Sequence, residues 1–286
     1  MRISVVIPVK NRVPKLIDAI NSAVAIRNVC EVIVVDDHST PPLTLDALNL
    51  QERSNLVRIV RNSGSPGAQH ARSLGTAEAV GDFVLYLDSD DLLVAAGIEE
   101  MIAASEKNPD AALFYGNFRV GSKETNFLQV RGGAFPKLLK NLSLCPFSGL
   151  LVKKEAAQWD DVDKDLPAWQ DDDFCLTVAR RYPVYFVDTI TAEYKPSDDS
   201  ISASTDKRLI GLRGMLRKWG PEMKRIVGHR CYFVWKLMYF ALWAETIMAT
   251  RRRRGISKKS PVNVLLKFFS KRARAVSRQY LDVLHV

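Results

Sequence analysis

The chain has 286 residues, 47% of them apolar and 26% charged, a globular composition large enough for one big core or two modest ones. Its formal charge of +9 is split unevenly: residues 207–286 hold 20 Lys and Arg against 3 Asp and Glu, while residues 1–206 hold 21 against 29. Four scattered cysteines with no CxxC pair argue against a zinc site or a disulfide framework and fit a reducing compartment. The opening stretch, residues 1–8, is too short an apolar run for a signal peptide and reads as a strand closed by Pro8. Helical spacing follows over 16–24, then a buried strand at 32–35 and a third at 56–60. Residues 68–80 suit a helix entered through Pro66-Gly67, and 83–87 a fourth strand before a helix through 98–104. Another strand is expected at 111–115. Short strands alternating with helices predict parallel βαβ units.

From about residue 120 the pattern loosens around Gly121, Gly132, Gly133 and Pro136. Strands at 150–152 and 184–187 and a helix over 174–181 are expected, then a polar loop over 197–206. The last 80 residues change character. Residues 231–244 are densely apolar and aromatic, interrupted by Lys236, and Arg251 to Arg254 and further basic residues follow. The charge-free stretch is shorter than the ~18 residues a spanning helix needs. Apolar-aromatic segments beside basic clusters suit helices lying in a membrane interface, and equally a helical subdomain with solvated arginines.

Four acidic clusters carry the chemistry. Asp36-Asp37 and Asp88-Ser89-Asp90-Asp91 each close an apolar strand, where an open α/β sheet keeps its ligand site. Asp171-Asp172-Asp173 follows Trp169-Gln170, and Asp198-Asp199 lies in the polar loop. Asp88 and Asp90 point the same way from an extended segment, which suits Mg2+ or Mn2+ bridging to substrate phosphates. The competing reading is that Asp90 or Asp91 caps the next helix. A phosphatase-type D-x-D nucleophile is disfavoured, because the motif follows about 80 residues of βαβ and Leu92 stands where Thr or Val is usual. Asp36-Asp37 suits hydrogen bonding to a base or ribose, or an Asx-turn. The loop from Asn62 to Arg72 brings glycines to a helix start, which favours phosphate, with Arg72 as an added cation.

Together these elements resemble the family-2 inverting glycosyltransferases. The likeness rests on residues 5–12, on 34–39, on 62–75, on Leu87-Asp88-Ser89-Asp90-Asp91, on 148–154, on 169–174 and on 194–202, and so covers about residues 1–205. It implies the GT-A nucleotide-sugar-binding fold, a Rossmann-like, mostly parallel sheet flanked by helices. A nucleotide-sugar-binding half would span 1–117 and an acceptor half 118–205. Residues 206–286 would be a basic, aromatic helical extension, associated with the cytoplasmic face of the inner membrane. The implied donor residues are Pro8, Val9, Asp36, Asp37, Arg72, Asp88, Ser89 and Asp90, with Asp90 and Asp88 at the metal. Asp171 is the implied general base, and Trp169, Gln170 and Ser148 lie on the acceptor side. Phe118, Arg119, Arg131 and Phe147 are further acceptor-side expectations. The implied activity is sugar transfer, with a UDP-sugar as donor, to a glycan or lipid-linked saccharide in polysaccharide synthesis. Gln170 stands where the family commonly has Glu, and Ser197 where it often has His. An inactive scaffold therefore stays open, as does a nucleic-acid binder suggested by the basic tail, although no nucleic-acid motif is present.

Overall fold

The computed structural model describes residues 1–48, 50, 54–140, 145–194, 205–253, 257, 260–267 and 270–271. The expected loop at 197–206, with Ser197, Asp198 and Asp199, lies outside them apart from its last two residues. The chain forms two compact units. One comprises Met1–Ala134, Ser143–Asp165 and Phe174–Pro196; the other comprises Phe135–Leu142, Leu166–Asp173 and Ser197–Val286.

The first unit is built on one sheet. In chain order its elements are β1 (Ile3–Val9), α1 (Val13–Val24), β2 (Val29–Asp36), α2 (Leu45–Leu48), β3 (Val57–Arg61), α3 (Ala68–Glu78), β4 (Phe83–Tyr86), β5 (Leu92–Leu93), α4 (Ala95–Lys107), β6 (Leu113–Val120), β7 (Lys123–Glu124) and β8 (Arg131–Gly132). After α5 (Phe135–Lys140), which belongs to the second unit, come β9 (Leu150–Lys153), α6 (Gln170–Ala179) and β10 (Val184–Tyr194). The sheet order is β3-β2-β1-β4-β9-β6-β10-β5. β1 and β2 are near-continuous apolar runs because helices cover both faces of a parallel sheet. α1 buries Leu16, Ala19, Ile20, Ala23 and Val24, one face at helical spacing. α3 lies so close that a Cβ on Gly75 would sit 2.5 Å from Val6 Cγ1 and 3.0 Å from Val35 Cγ2. Only glycine lets that helix rest on β1 and β2.

The strand order reverses at β1. β1, β2 and β3 step one way across the sheet, and β4 returns to the other side of β1, parallel to it. The carboxyl ends of β1 and β4 therefore flank a topological switch point. Beyond β4 the pattern departs from simple βαβ repetition, since β9 runs antiparallel to both β4 and β6. Leu150, Leu151 and Val152 are fully buried, so their apolar run reads the same in either direction. α4 is capped by Val94, with no side-chain hydrogen bond, and β5 separates it from the acids at 88–91. Neither Asp90 nor Asp91 caps that helix. A buried aromatic cluster of Tyr86, Phe147, Trp159 and Phe174 packs beneath β4, with ring centroids 4.8 to 6.1 Å apart.

The second unit centres on two long helices, α7 (Thr205–Ile226) and α8 (His229–Arg253). They are joined at Gly228, whose φ of 104° a side chain would strain. α7 buries Gly211, Leu212, Met215, Trp219, Gly220 and Met223 and exposes Lys207, Ile210, Arg213, Arg217 and Arg225. α8 buries Cys231, Val234, Trp235, Ala241 and Leu242 yet leaves Phe233, Phe240 and Trp243 exposed, in one stripe with Lys236. Among the described residues no helix is long and apolar enough to cross a membrane.

Candidate active site

Asp36 ends β2, and its carboxylate is only 1% exposed. Its Oδ1 accepts from Ser39 N at 2.9 Å, and its Oδ2 from Leu43 N at 3.0 Å and from Arg61 Nη1. Burial alone would raise its pKa, but hydrogen bonds from Ser39, Leu43 and Arg61 outweigh this and hold the carboxyl below the usual aspartate value. The acid expected at the nucleoside base thus holds the turn after β2. Asp37 organises the neighbouring loop: it accepts from Asn62 Nδ2 at 2.8 Å and from Gly67 N at 2.9 Å. Gly67, at φ 141°, opens α3. Pro8 and Val9 are buried at the end of β1, where Val9 O accepts from Asp37 N at 2.7 Å.

At the end of β4 three neighbouring acids have three different fates. Asp88 accepts from Arg72 Nη2, and its side chain is 35% exposed. Arg72 itself is buried: its Cζ lies 3.9 Å above the Phe147 ring, and its Nη1 donates to Gln69 Oε1 at 2.8 Å. The expected cationic fork is therefore fixed to a carboxylate on one side and an aromatic face on the other. Asp90 Oδ2 accepts from Arg12 Nη1 at 2.6 Å, with side chains 14% and 34% exposed. Asp91 is buried and accepts from Ser148 Oγ at 2.5 Å, while Asp88 N donates to that same hydroxyl at 3.1 Å. Ser89 is buried between them.

Three residues expected on the acceptor side are buried. Ser148 is fully buried with its hydroxyl engaged as donor and acceptor, so it locks the β4 loop. Phe147 and Phe118 are core residues, Phe147 beneath Arg72 and Phe118 edge-on to Phe127.

Asp88 and Asp90 fit a divalent cation. Both are hard oxygen donors two residues apart, both are partly open, and each already draws a guanidinium. Mg2+ or Mn2+ commonly takes one or two protein carboxylates and completes its shell with substrate phosphates and water. Among the described residues no three His, Cys, Asp or Glu side chains gather into a cage that would hold an ion alone.

The third acidic cluster opens α6, and residues 170–173 belong to the second unit. Asp173 is fully buried, accepting from Trp219 Nε1 at 2.6 Å and Lys218 Nζ at 2.8 Å, a structural commitment. Asp172 is buried as well, and Asp171 is the most exposed of the three. Gln170 Nε2 donates to Leu166 O at 2.5 Å, so the amide at the usual Glu position closes a local turn. Trp169 donates through Nε1 to Arg208 O at 3.0 Å and adopts a left-handed φ of 65°. Among the described residues the other non-glycine residues at positive φ are Asn11 at 55° and His38 at 62°. Asn11 precedes Arg12, His38 follows Asp37, and Trp169 lies two residues before Asp171; strained backbone of this kind concentrates where groups are held for function.

Local sequence signals missed Arg12, Arg61 and the Ser148–Asp91 lock. Arg12 lies 78 positions from Asp90, and no spacing rule links them.

The family model described as Glycosyl transferase family 2 matches residues 4–158. An Escherichia coli protein named UDP-Glc:alpha-D-GlcNAc-diphosphoundecaprenol beta-1,3-glucosyltransferase WfgD is 26% identical over 196 residues, 63% of this chain and 70% of that protein. The chain spans less of three other curated relatives, 37% of one and 18% of each of two. Among solved structures, S. aureus TarS 1-349 in complex with UDP-GlcNAc superposes with TM-score 0.59 at 17% identity, covering 98% of this chain and 91% of that one. Mannosyltransferase PcManGT from Pyrobaculum calidifontis, in complex with GDP-Man and Mn2+, gives 0.61 at 16% identity, covering 98% and 83%. These likenesses show the fold, the GT-A arrangement anticipated above, with a helical C-terminal part. With more than half its length matched, the chain belongs to glycosyl transferase family 2.

Proposed function

We propose that the protein is an inverting, metal-dependent hexosyltransferase that moves a sugar from a UDP-sugar to a glycan or lipid-linked saccharide during cell-surface polysaccharide synthesis. The observation that carries this reading is the Asp88–Asp90 pair, held by two arginines at the switch point of the sheet in a family-2 chain. The names of its relatives support the choice of donor and acceptor: WfgD is named for UDP-Glc and a diphosphoundecaprenol-linked GlcNAc, and the TarS complex holds UDP-GlcNAc. Residues 1–205 are the catalytic domain in this reading, with the donor half at 1–117 and the acceptor half at 118–205. Residues 206–286 are the extension. Its arginine row on α7 and aromatic stripe on α8 suit contact with the anionic cytoplasmic face of the inner membrane, where a lipid-linked acceptor lies.

The residues divide the chemistry. The strand-end loops held by Asp36 and Asp37, with Pro8 and Val9, border the nucleoside. Asp90 would hold the cation with Asp88 beside it, and Asp88, next to Ser89, faces the ribose or donor sugar. A bound Mg2+ or Mn2+ supplies neutralisation of charge developing on the departing diphosphate. Arg72 steadies Asp88 through its fixed guanidinium. Asp171, with Trp169 and Gln170 on the acceptor side, removes the proton from the acceptor hydroxyl as that oxygen attacks the anomeric carbon from the face opposite the leaving UDP. One displacement inverts the centre. Asp171→Asn tests the assignment: turnover falls by about 10²-fold or more, the usual worth of a general base, and UDP affinity by calorimetry stays near that of the parent. A parallel loss of UDP affinity refutes the role. Because Gln170 replaces the usual Glu, the parent protein is assayed first, and no transfer from any UDP-sugar would favour an inactive scaffold.

A further inference from the structure

We propose that Arg12 is a built-in occupant of the cation position at Asp90, which it gives up when a divalent cation binds, so that Arg12 sets how tightly the site holds that cation. The inference rests on Asp90 being the cation-holding residue, as proposed above.

The geometry is specific. Asn11 sits in a left-handed conformation and is pinned from both sides: its N–H donates to Ser39 Oγ at 3.0 Å, and its Oδ1 accepts from Thr40 N at 2.8 Å. Arg12 then caps α1 with non-helical backbone and no side-chain capping bond. The loops after β1 and β2 thus fix where the Arg12 side chain begins, and its guanidinium reaches Asp90 Oδ2 at 2.6 Å. A charge-assisted bond of that length directs positive charge onto the oxygen that a cation would take. A divalent ion within bonding distance of Oδ2 would lie beside the guanidinium, and the two positive charges would repel. The guanidinium is the partner able to leave, because Arg12 is 34% exposed and Asp90 only 14%. Arg72 is its counterpart and behaves differently: 6% exposed and stacked on Phe147, it stays with Asp88. The site therefore carries one fixed guanidinium and one releasable one.

Competition has a sign that structural damage lacks. Removing Arg12 tightens cation binding, whereas a distorted loop weakens it. Mn2+ binding is measured from the free-ion electron paramagnetic resonance signal, with the full chain alone and with saturating UDP. Asp90→Ala is expected to lose Mn2+ binding. Arg12→Ala is expected to bind Mn2+ about fivefold more tightly than the parent, the ratio to which the worth of a partly exposed ion pair converts. Arg12→Gln, which keeps hydrogen-bonding capacity without the charge, shows the same tightening and serves if the alanine variant fails to fold. Unchanged or weaker Mn2+ binding in both Arg12 variants, with binding lost in Asp90→Ala, overturns the role of Arg12 and leaves the cation site standing. Undiminished binding in Asp90→Ala overturns both.

Discussion

Replacing Asp36 by Asn separates two roles that the sequence left open for it. The parent carboxylate accepts from Ser39 N, Leu43 N and Arg61 Nη1 from inside the fold. An amide offers one acceptor oxygen and one donor group. If that oxygen serves Leu43 and Arg61, its NH2 opposes the Ser39 N–H; if it serves Ser39, two donors oppose the NH2. The cheaper arrangement forfeits one hydrogen bond to a charged acceptor and leaves a buried N–H unmatched, while the Arg61 attraction adds little because that side chain is 41% exposed. The cost comes to about 3 kcal/mol. Urea unfolding followed by circular dichroism reads it. The same carboxyl, with its lowered pKa, contributes stability that is complete above its unfolded value near pH 4 and is lost as the pH falls through the lower folded value. Glu31 behaves likewise: burial raises its pKa, but hydrogen bonds from Ser4, Val80 N and Arg58 bring it below the usual glutamate value. Asp36→Asn therefore flattens part of the acid limb below about pH 4. Parent-like stability at pH 7 together with lost UDP binding would refute the turn-holding role and return Asp36 to the base.

Two more substitutions probe the supports of the site. Ser148→Ala removes the hydroxyl that joins buried Asp91 to the Asp88 backbone and should cost about 2 kcal/mol; a thermal midpoint equal to the parent's would show that the lock is idle. Gly211→Ala places a Cβ 2.5 Å from Ala168 O, a backbone atom that cannot swing aside. It should destabilise the second unit by about 1–3 kcal/mol and lower turnover by shifting the segment that carries Trp169 and Asp171, with UDP affinity intact. Parent-like turnover would argue against that coupling.

The first-half strands were legible because each is a local signal: an apolar run, then an acid or a turn. Asp88-Ser89-Asp90 was legible for the same reason. The direction of β9 was not, since a fully buried strand has the same apolar pattern whichever way it runs. Residue roles set by distant partners were hidden too. Asp91 and Asp90 look alike in sequence, yet one meets Ser148, 57 positions away, and is buried, while the other meets Arg12, 78 positions away, and stays partly open. Phe118 and Phe147, in a stretch rich in loop signals, were expected on the acceptor side, and both are buried in the core. Asp173 resembles Asp171 until Trp219 and Lys218 claim it.

The proposed activity is sugar transfer from a UDP-sugar. Its most direct measurement incubates the full chain with Mn2+ and a panel of UDP-, GDP- and dTDP-sugars beside a diphospholipid-linked GlcNAc acceptor, and reads released nucleoside diphosphate. The expected result is acceptor-dependent release of UDP from one UDP-sugar, lost in Asp90→Ala and Asp171→Asn. Release confined to a GDP- or dTDP-sugar, or release that persists in both variants, would contradict it.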